Sequence, residues 1–391
     1  MATPESFYRE AIDLNRYSNR VAREIVTNYN NVILDLTNKL ATIDEVTAPA
    51  TVARIRAMLV QMKESLETWS TGSSAYMIDE LQSLAVFQSG FIADELQKVL
   101  PVGAAGVNSV KISPDFARSI VMTDPTEVNI LTLPNNLEPT VQRTFNLTAA
   151  KGSAITLPSG EVVSKAFRGI STKQSELISS QIRIGITEGE SIPKIAKRLR
   201  GRLQFGRNQT MTAKAQRLAA GDGMKLANNQ VMTIVRTSVN QVQNAASQAT
   251  YAANQDVTQK YEYVAILDAR TSTICGSLDG QRFNYNEGPL PPQHFNCRST
   301  TVPIIDDEDL RRKFPNTRPS ATGRVSQDTN YATWLKDNPS IQEKTLGSKK
   351  KFFNYLIDKK RKSPKQALRL IIKEDGTELT LKNLIEKYPK A

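Results

Sequence analysis

The residues with the clearest chemical potential lie close together in the sequence. The only histidine and the only two cysteines of the 391-residue chain are Cys275, His294 and Cys297. Thiolates and imidazoles are ligands that zinc prefers, and three of them with a fourth ligand form a common zinc site. One tight turn can present both His294 and Cys297, while Cys275 arrives from a separate loop. The pattern predicts a metal centre with zinc as the candidate ion and with Asp268, Asp279 or water as the fourth ligand.

The sequence alone leaves other roles open for the cluster of Cys275, His294 and Cys297. The cysteines could be reduced, partly buried side chains beside a histidine that is hydrogen-bonded to a backbone carbonyl. A disulfide between Cys275 and Cys297 would stabilise the fold by roughly 3 kcal/mol in the chain-entropy model, although cytosolic synthesis argues against it. A Cys–His pair can also form a thiolate nucleophile. Because neighbours in one turn rarely align as nucleophile and base, we expect the protein not to be an enzyme.

The sequence around the cluster resembles a known family. The pattern consists of Asp268, Arg270-Thr271, Cys275, Leu278-Asp279-Gly280 and then Pro291-x-x-His294-x-x-Cys297-Arg298. It is similar to the Mu F-like minor head proteins of tailed phages, the head-morphogenesis family, and the similarity covers residues 190–391. The resemblance implies a virion protein that associates with the portal protein and other head proteins. It also implies a role in DNA packaging or ejection.

The sequence departs from this family at three positions. Many members have a cysteine where Ser272 stands and another where Ser299 stands, and many have a glutamate where Ser238 stands. The first two departures reduce a possible set of five ligands to three. A metal centre in this chain would therefore depend on the two cysteines, the histidine and one ligand of another type.

The elements that must position the cluster are predicted to be strands. Three short segments are rich in aromatic and β-branched residues, as buried strands are: Tyr261–Asp268, Gln281–Tyr285 and Ser299–Ile305. The cluster lies on the loops that join them. Arg270 and Arg298 could each form a bidentate pair with Asp268 or Asp279 and hold these loops in register. Thr271 belongs to the same structural motif.

Long helices are predicted on the N-terminal side of this sheet. Residues 5–41 carry an apolar stripe at spacings of three and four, as one face of a helix does: Val21, Ile25, Tyr29, Val32, Leu36 and Leu40. Residues 50–70 and 74–99 are predicted to form two more helices. Helices resume at 166, and residues 225–255 are predicted to form another long one with a small-residue end.

The net charge of +12 is unevenly distributed along the chain. Residues 193–218 contain eight bases and no acid, and residues 342–391 contain 14 bases against 6 acids, whereas residues 1–100 contain 9 bases and 13 acids. Basic clusters attract phosphate backbones without reading sequence. We therefore predict binding to packaged DNA or to an acidic partner surface by Lys194, Lys197, Arg198, Arg200, Arg202, Lys349, Lys350, Lys351, Lys359, Lys360, Arg361 and Lys362.

Taken as a whole, the chain is predicted to be an α+β protein. We divide it into a helical interaction region (1–100), an irregular linker or subdomain (101–165), a Mu F-like α/β core with the small sheet (166–305) and a basic helical tail (306–391). No apolar run is long enough for a membrane span. The N-terminal residues lack the pattern of a secretory signal, so synthesis in the host cytoplasm is expected.

The leading functional prediction is a minor structural protein of a tailed-phage head, and it rests mainly on the family resemblance. One alternative is a zinc-stabilised nucleic-acid-binding protein with no role in the virion. Another is a toxin-like hydrolase that uses one of the two cysteines. Stable association with purified particles would separate the first function from the other two.

Overall fold

The computed structural model describes most of the chain. The described residues are 4–43, 48–98, 100, 106–107, 110–112, 114, 116–122, 131–132, 157, 161–188, 190–200, 220–285, 288–304, 317–373 and 377–390. Arg202, and most of the irregular region predicted for 101–165, lie outside these ranges. Among the helices described here, none contains a stretch long and apolar enough to cross a membrane.

Helices dominate the N-terminal two thirds of the described residues. They are α1 (Pro4–Ala41), α2 (Ala48–Gln97), α3 (Phe116–Met122), α4 (Val163–Thr187), α5 (Ile192–Arg200) and α6 (Ala220–Ala252). Two short strands, β1 (Lys111–Ile112) and β2 (Leu131–Thr132), pair antiparallel with each other. The prediction of one long helix over residues 5–41 is confirmed by α1.

The prediction of two separate helices over residues 50–99 is wrong, because α2 is a single helix of 50 residues. It passes through Gly72 without a break. A glycine inside a helix costs about 1 kcal/mol relative to alanine. Buried side chains on both sides of the glycine, among them Trp69 and Met77, offset that cost by packing into one continuous core.

One hydrophobic core is shared by helices α1, α2, α4 and α6. At its centre the ring of Trp69 lies 5.1 Å from that of Tyr29 and 5.9 Å from that of Phe167, in edge-to-face geometry. The Trp69 indole N–H donates to the backbone oxygen of Ile25 at 3.2 Å, and the Tyr29 hydroxyl donates to Gln174 at 2.9 Å. The polar ends of these large side chains are therefore satisfied inside the core.

Helix α6 is buried on nearly every side over residues 231–252, including its polar residues. Buried polar groups are costly unless they are hydrogen-bonded. Here Gln243 and Gln248 donate to the hydroxyls of Thr300 and Thr301 at 2.9 and 3.0 Å, and Gln88 of α2 donates to Ser247 at 3.1 Å. These bonds fix α6 against its neighbours on two sides.

A three-stranded antiparallel sheet follows α6 in the chain. Its strands are β3 (Lys260–Val264), β4 (Arg282–Asn284) and β5 (Thr300–Ile304), in the order β4-β3-β5. The register pairs Tyr261 with Phe283 on one side and with Pro303 on the other. All three predicted strands are confirmed, with shorter bounds than the sequence suggested. A short helix, α7 (Thr273–Leu278), lies between β3 and β4.

The C-terminal part packs around a second core that contains Trp334, Phe352 and Phe353. Its elements are β6 (Thr317–Ser320), β7 (Gly323–Ser326), α8 (Tyr331–Lys336), α9 (Pro339–Leu346), α10 (Lys350–Asp358), α11 (Pro364–Arg369) and α12 (Leu381–Lys387). Strands β6 and β7 form an antiparallel hairpin. Long helices combined with small antiparallel sheets confirm the predicted α+β class.

Candidate metal centre

Cys275 lies in the first turn of α7, directly after the loop that leaves β3. The hydroxyl of Ser272 caps this helix by accepting a hydrogen bond from the Cys275 backbone N–H at 3.3 Å. The hydroxyl of Thr273 hydrogen-bonds to Glu378, which comes from the C-terminal part of the chain. Both hydrogen bonds lie at the N-terminal end of α7 and fix its position. Cys275 is 2% exposed.

His294 and Cys297 lie on a tight turn just before β5. The Cys297 N–H donates to the His294 carbonyl at 3.2 Å, and Asn296 inside the turn has a φ of +58°. Asparagine tolerates this left-handed conformation better than most residues. Two hydroxyls of α6 hold the turn, since Thr237 accepts from the Asn296 backbone at 3.0 Å and Thr233 accepts from its side chain at 3.1 Å.

The structure brings all three residues together. The Sγ atoms of Cys275 and Cys297 lie 3.7 Å apart, and the Cys275 Sγ lies 3.2 Å from the His294 Nε2. The three ligand atoms all lie within 4.8 Å of one another. Two sulfurs bound to one tetrahedral zinc at about 2.3 Å would lie about 3.8 Å apart. The spacing of the sulfurs therefore fits a shared metal, and both cysteines are free of a disulfide.

The orientation of the His294 ring also fits a metal ligand. Its Nδ1 lies 2.8 Å from the backbone oxygen of Phe295, while its Nε2 faces the Cys275 sulfur and the Ser272 hydroxyl. With the proton on Nδ1 donated to the carbonyl, the lone pair of Nε2 points into the cluster. Metal-binding histidines are commonly oriented by such a second hydrogen bond.

Charge within the cluster concentrates on Cys275. The Cys297 thiol donates a hydrogen bond to Cys275, and this contact, with help from His294, lowers the pKa of Cys275 well below its usual range despite burial. Burial, followed by the neighbouring Cys275, raises the pKa of Cys297. Burial alone would lower the pKa of His294, but its contacts with Cys275 outweigh burial and raise the pKa. The cluster thus stabilises one thiolate, the form of cysteine that binds metals.

Asp268 is engaged by arginines rather than by the cysteine cluster. Arg298 donates to its two oxygens in a bidentate pair, with both distances 2.7 Å, as the sequence led us to expect. The backbone N–H of Arg270 donates to the same carboxylate at 2.9 Å, and its guanidinium lies 3.5 Å away. Thr271 tightens the loop by donating to the Ile266 carbonyl at 2.5 Å.

Asp279 is fully buried and is also committed elsewhere. Its oxygens accept from the Ala265 N–H at 2.7 Å, the Tyr331 N–H at 2.6 Å and the Arg318 guanidinium at 3.0 and 3.1 Å. Neither Asp279 nor Asp268 belongs to the three-residue group that could hold a metal. The sequence suggested Asp268, Asp279 or water as the fourth ligand. Both carboxylates are already paired with other groups of the protein, which leaves water.

Sequence reasoning missed Arg318, which is 2% exposed and forms the buried ion pair with Asp279. Its guanidinium also donates to the Ala265 carbonyl at 2.6 Å and lies 5.0 Å from the ring centre of Tyr8 in α1. Arg318 therefore joins the β6–β7 hairpin, the end of β3 and the start of α1. Its neighbours in sequence, Thr317 and Pro319, give no signal of a buried position.

The predicted basic residues differ in their surroundings. Lys194, Lys349 and Lys350 are in ion pairs with Glu190, Glu378 and Glu343 respectively. Lys351 and Lys360 lie over the rings of Phe352 and Tyr355. Lys197, Arg198 and Arg200 belong to α5, for which the structure describes the backbone at these positions. The most exposed cluster follows α10 and consists of Lys359, Lys360, Arg361 and Lys362.

Comparison with protein families gives one match. The family described as Phage Mu protein F like protein matches residues 176–302, a segment that runs from α4 through β5 and contains all three residues of the cysteine–histidine cluster. The resemblance to Mu F-like head-morphogenesis proteins is therefore confirmed over this segment. No curated protein and no solved structure matches the chain.

Proposed function

Because residues 176–302 are Mu F-like, we propose that this chain is a minor structural protein of a tailed-phage head. The family match carries this proposal. We further propose a position near the portal vertex, contacts with the portal protein and other head proteins, and a role in head assembly and in DNA packaging or ejection. The chain would then be synthesised in the host cytoplasm and become part of the virion.

The geometry of the cluster supports a structural role. Cys275 and Cys297 are each 2% exposed, and their sulfurs lie 3.7 Å apart. The cluster joins the loop after β3 to the turn before β5. We propose that it acts as a clamp on a small sheet and has no turnover of its own. Hydrolase activity of the purified chain that disappears in Cys275→Ala would contradict this view.

We propose zinc as the ion of this clamp. Cys275, Cys297 and His294 Nε2 would hold it, with water in the fourth position. Zinc would supply no redox chemistry, only a cross-link between the loop after β3 and the turn before β5. A sheet of strands with five, three and five residues buries little apolar surface, so a cross-link there would contribute much of its local stability.

Association with particles tests the proposed function directly. We expect the tagged chain to remain with DNA-filled heads through density-gradient purification and a high-salt wash, because a structural component is held by an extensive interface. Mass spectrometry of the washed particles would measure it. An abundant cytosolic host protein, followed in the same fractions, gives the background. Recovery of the chain at that background level alone would refute a structural role in the head.

The exposed bases after α10 support contact with packaged DNA or with an acidic protein surface. Replacement of Lys359, Lys360, Arg361 and Lys362 by glutamine should weaken DNA binding, because each base that meets a phosphate releases a counterion. The slope of log affinity against log salt should become shallower by about 0.9 for every phosphate that is no longer neutralised. Fluorescence anisotropy with duplex DNA at several salt concentrations would measure this slope.

The matched control for this variant removes four exposed bases from the N-terminal helices: Arg23, Arg54, Arg56 and Lys63 replaced by glutamine. Both variants remove the same formal charge. A purely long-range effect of net charge would change the two slopes equally. Equal slopes in the two variants would rule out a specific contact by the cluster after α10.

A further inference from the structure

Three arginines from separate elements meet beside the cysteine–histidine cluster. Arg270 follows β3, Arg298 precedes β5, and Arg236 lies in the middle of α6. Arg270 and Arg298 both contact Asp268. Arg298 and Arg236 line the same narrow crevice between α1 and α6. The fold therefore gathers these three guanidinium groups on one face, although 62 residues separate the first from the last.

The charges on this face do not balance. Asp268 is the carboxylate that contacts both Arg270 and Arg298. Arg236 donates instead to the neutral side-chain oxygen of Asn19 at 2.8 Å, and among the described residues it forms no ion pair. Of these three positive groups, two are therefore paired with one carboxylate and the third, Arg236, is paired with none that the structure describes.

The surroundings of Arg236 disfavour its positive charge. Burial, followed by the nearby charges of Arg270 and Arg298, lowers the pKa of its guanidinium. Like charges held together in this way repel one another, and an anion placed between them would relieve the repulsion. Guanidinium groups bind phosphate through two parallel N–H···O bonds, which gives such an anion a defined geometry.

We propose that Arg236, Arg270 and Arg298 form a binding site for a backbone phosphate of DNA. Arg270, whose side chain is 73% exposed, and the partly exposed Arg236 would contact the phosphate. Arg298 is held by Asp268 and adds its positive charge beside the other two arginines. The site rests on the proposed role of the chain beside packaged DNA and adds a second point of contact, on the Mu F-like segment.

We take DNA rather than an acidic protein as the ligand of this face because the proposed function brings the chain beside packaged DNA. All three side chains are arginines, which match phosphate oxygens, and the chain as a whole carries a formal charge of +12. Phosphate contacts by such groups set the position of the duplex without reading its sequence. We therefore expect binding to depend on salt and to be independent of base sequence.

The test compares two double variants of the full chain. Arg236→Gln with Arg270→Gln removes the proposed contacts, and Arg54→Gln with Arg56→Gln removes the same charge from the exposed side of α2. With a labelled duplex of roughly 20 base pairs, the first variant should lower the salt slope by about 0.9, the value for one phosphate that is no longer neutralised, and the second should leave it near the wild-type value. Arg236→Lys with Arg270→Lys keeps the charge and should retain most of the slope.

Several outcomes would overturn the proposal. These are no DNA binding by the wild-type chain at about 50 mM salt, an equal decrease of the slope in the two glutamine variants, or competition by polyglutamate as effective as competition by DNA. Circular dichroism and thermal melting would establish that the variants are folded, and the lysine variant provides a folded comparison if a glutamine variant is not. The bases after α10 stay intact here, so failure of this site is distinguishable from failure of that contact and from absence of the chain from particles.

Discussion

Replacement of Asp279 by alanine is expected to lower the free energy of unfolding by about 3–5 kcal/mol, the usual cost of removing one member of a buried ion pair. The variant would leave the guanidinium of Arg318 buried at 2% exposure without its counter-charge. It would also leave the backbone N–H groups of Ala265 and Tyr331 without the acceptor they now share. Urea unfolding followed by circular dichroism would measure the change.

Two comparisons sharpen this experiment. Asp358→Ala removes an exposed carboxylate at the end of α10 and should change stability by less than about 0.5 kcal/mol. The double variant Asp279→Leu with Arg318→Met removes both buried charges and should be less destabilised than Asp279→Ala, because no unpaired charge remains. A decrease below about 1 kcal/mol in Asp279→Ala would mean that the pair does not hold the hairpin to the sheet.

The second large effect is expected from the metal centre. The chain purified from zinc-supplemented medium should contain close to one zinc per molecule, and Cys297→Ser should contain almost none. A metal present at a thousand times its dissociation constant stabilises the folded state by about 4 kcal/mol. Cys297→Ser should therefore be destabilised by an amount of that order. Elemental analysis would measure the zinc content, and hydrogen exchange would measure the loss of stability.

Hydrogen exchange would show where in the chain stability is lost, as well as how much is lost. Removal of the clamp should raise exchange in β3, β4 and β5 more than in α2, because the cluster joins the loops of the sheet. A chelator should reproduce this pattern in the wild-type chain and have no further effect on Cys297→Ser. If the wild-type chain carries no metal and the chelator changes nothing, the cluster is a set of hydrogen-bonded thiols and not a metal site.

The cluster and the longest apolar stripe could be predicted from the sequence because the signals are local. Cys275, His294 and Cys297 are the only residues of their types, and the stripe of α1 repeats at helical spacing. The continuity of α2 could not be predicted, because a glycine signals a break while the packing of Trp69 and Met77 against other helices is invisible in sequence. In α2, burial of these side chains against other helices outweighed the tendency of glycine to interrupt a helix.

The pairing of Arg318 with Asp279 shows a second limit of prediction from the sequence. The two residues are 39 positions apart, and an arginine in a short polar strand is ordinarily exposed. Its burial depends on Tyr8, which comes from the opposite end of the chain. The burial of polar residues in α6 could not be predicted either. Gln243 and Gln248 are buried where threonines of β5 accept their hydrogen bonds. Long-range partners of this kind leave no spacing to detect.

The shared core of α1, α2, α4 and α6 has a consequence for how this sequence can be exchanged between genomes. The family-matched segment, residues 176–302, contains α6 but neither α1 nor α2. A fragment with those bounds would expose Val231, Val235 and Val239, each at a cost of about 1.5–3 kcal/mol. Residues 176–302 therefore share their core with helices outside the matched range. A recombination event that replaced the first hundred residues would have to supply helices with matching apolar faces.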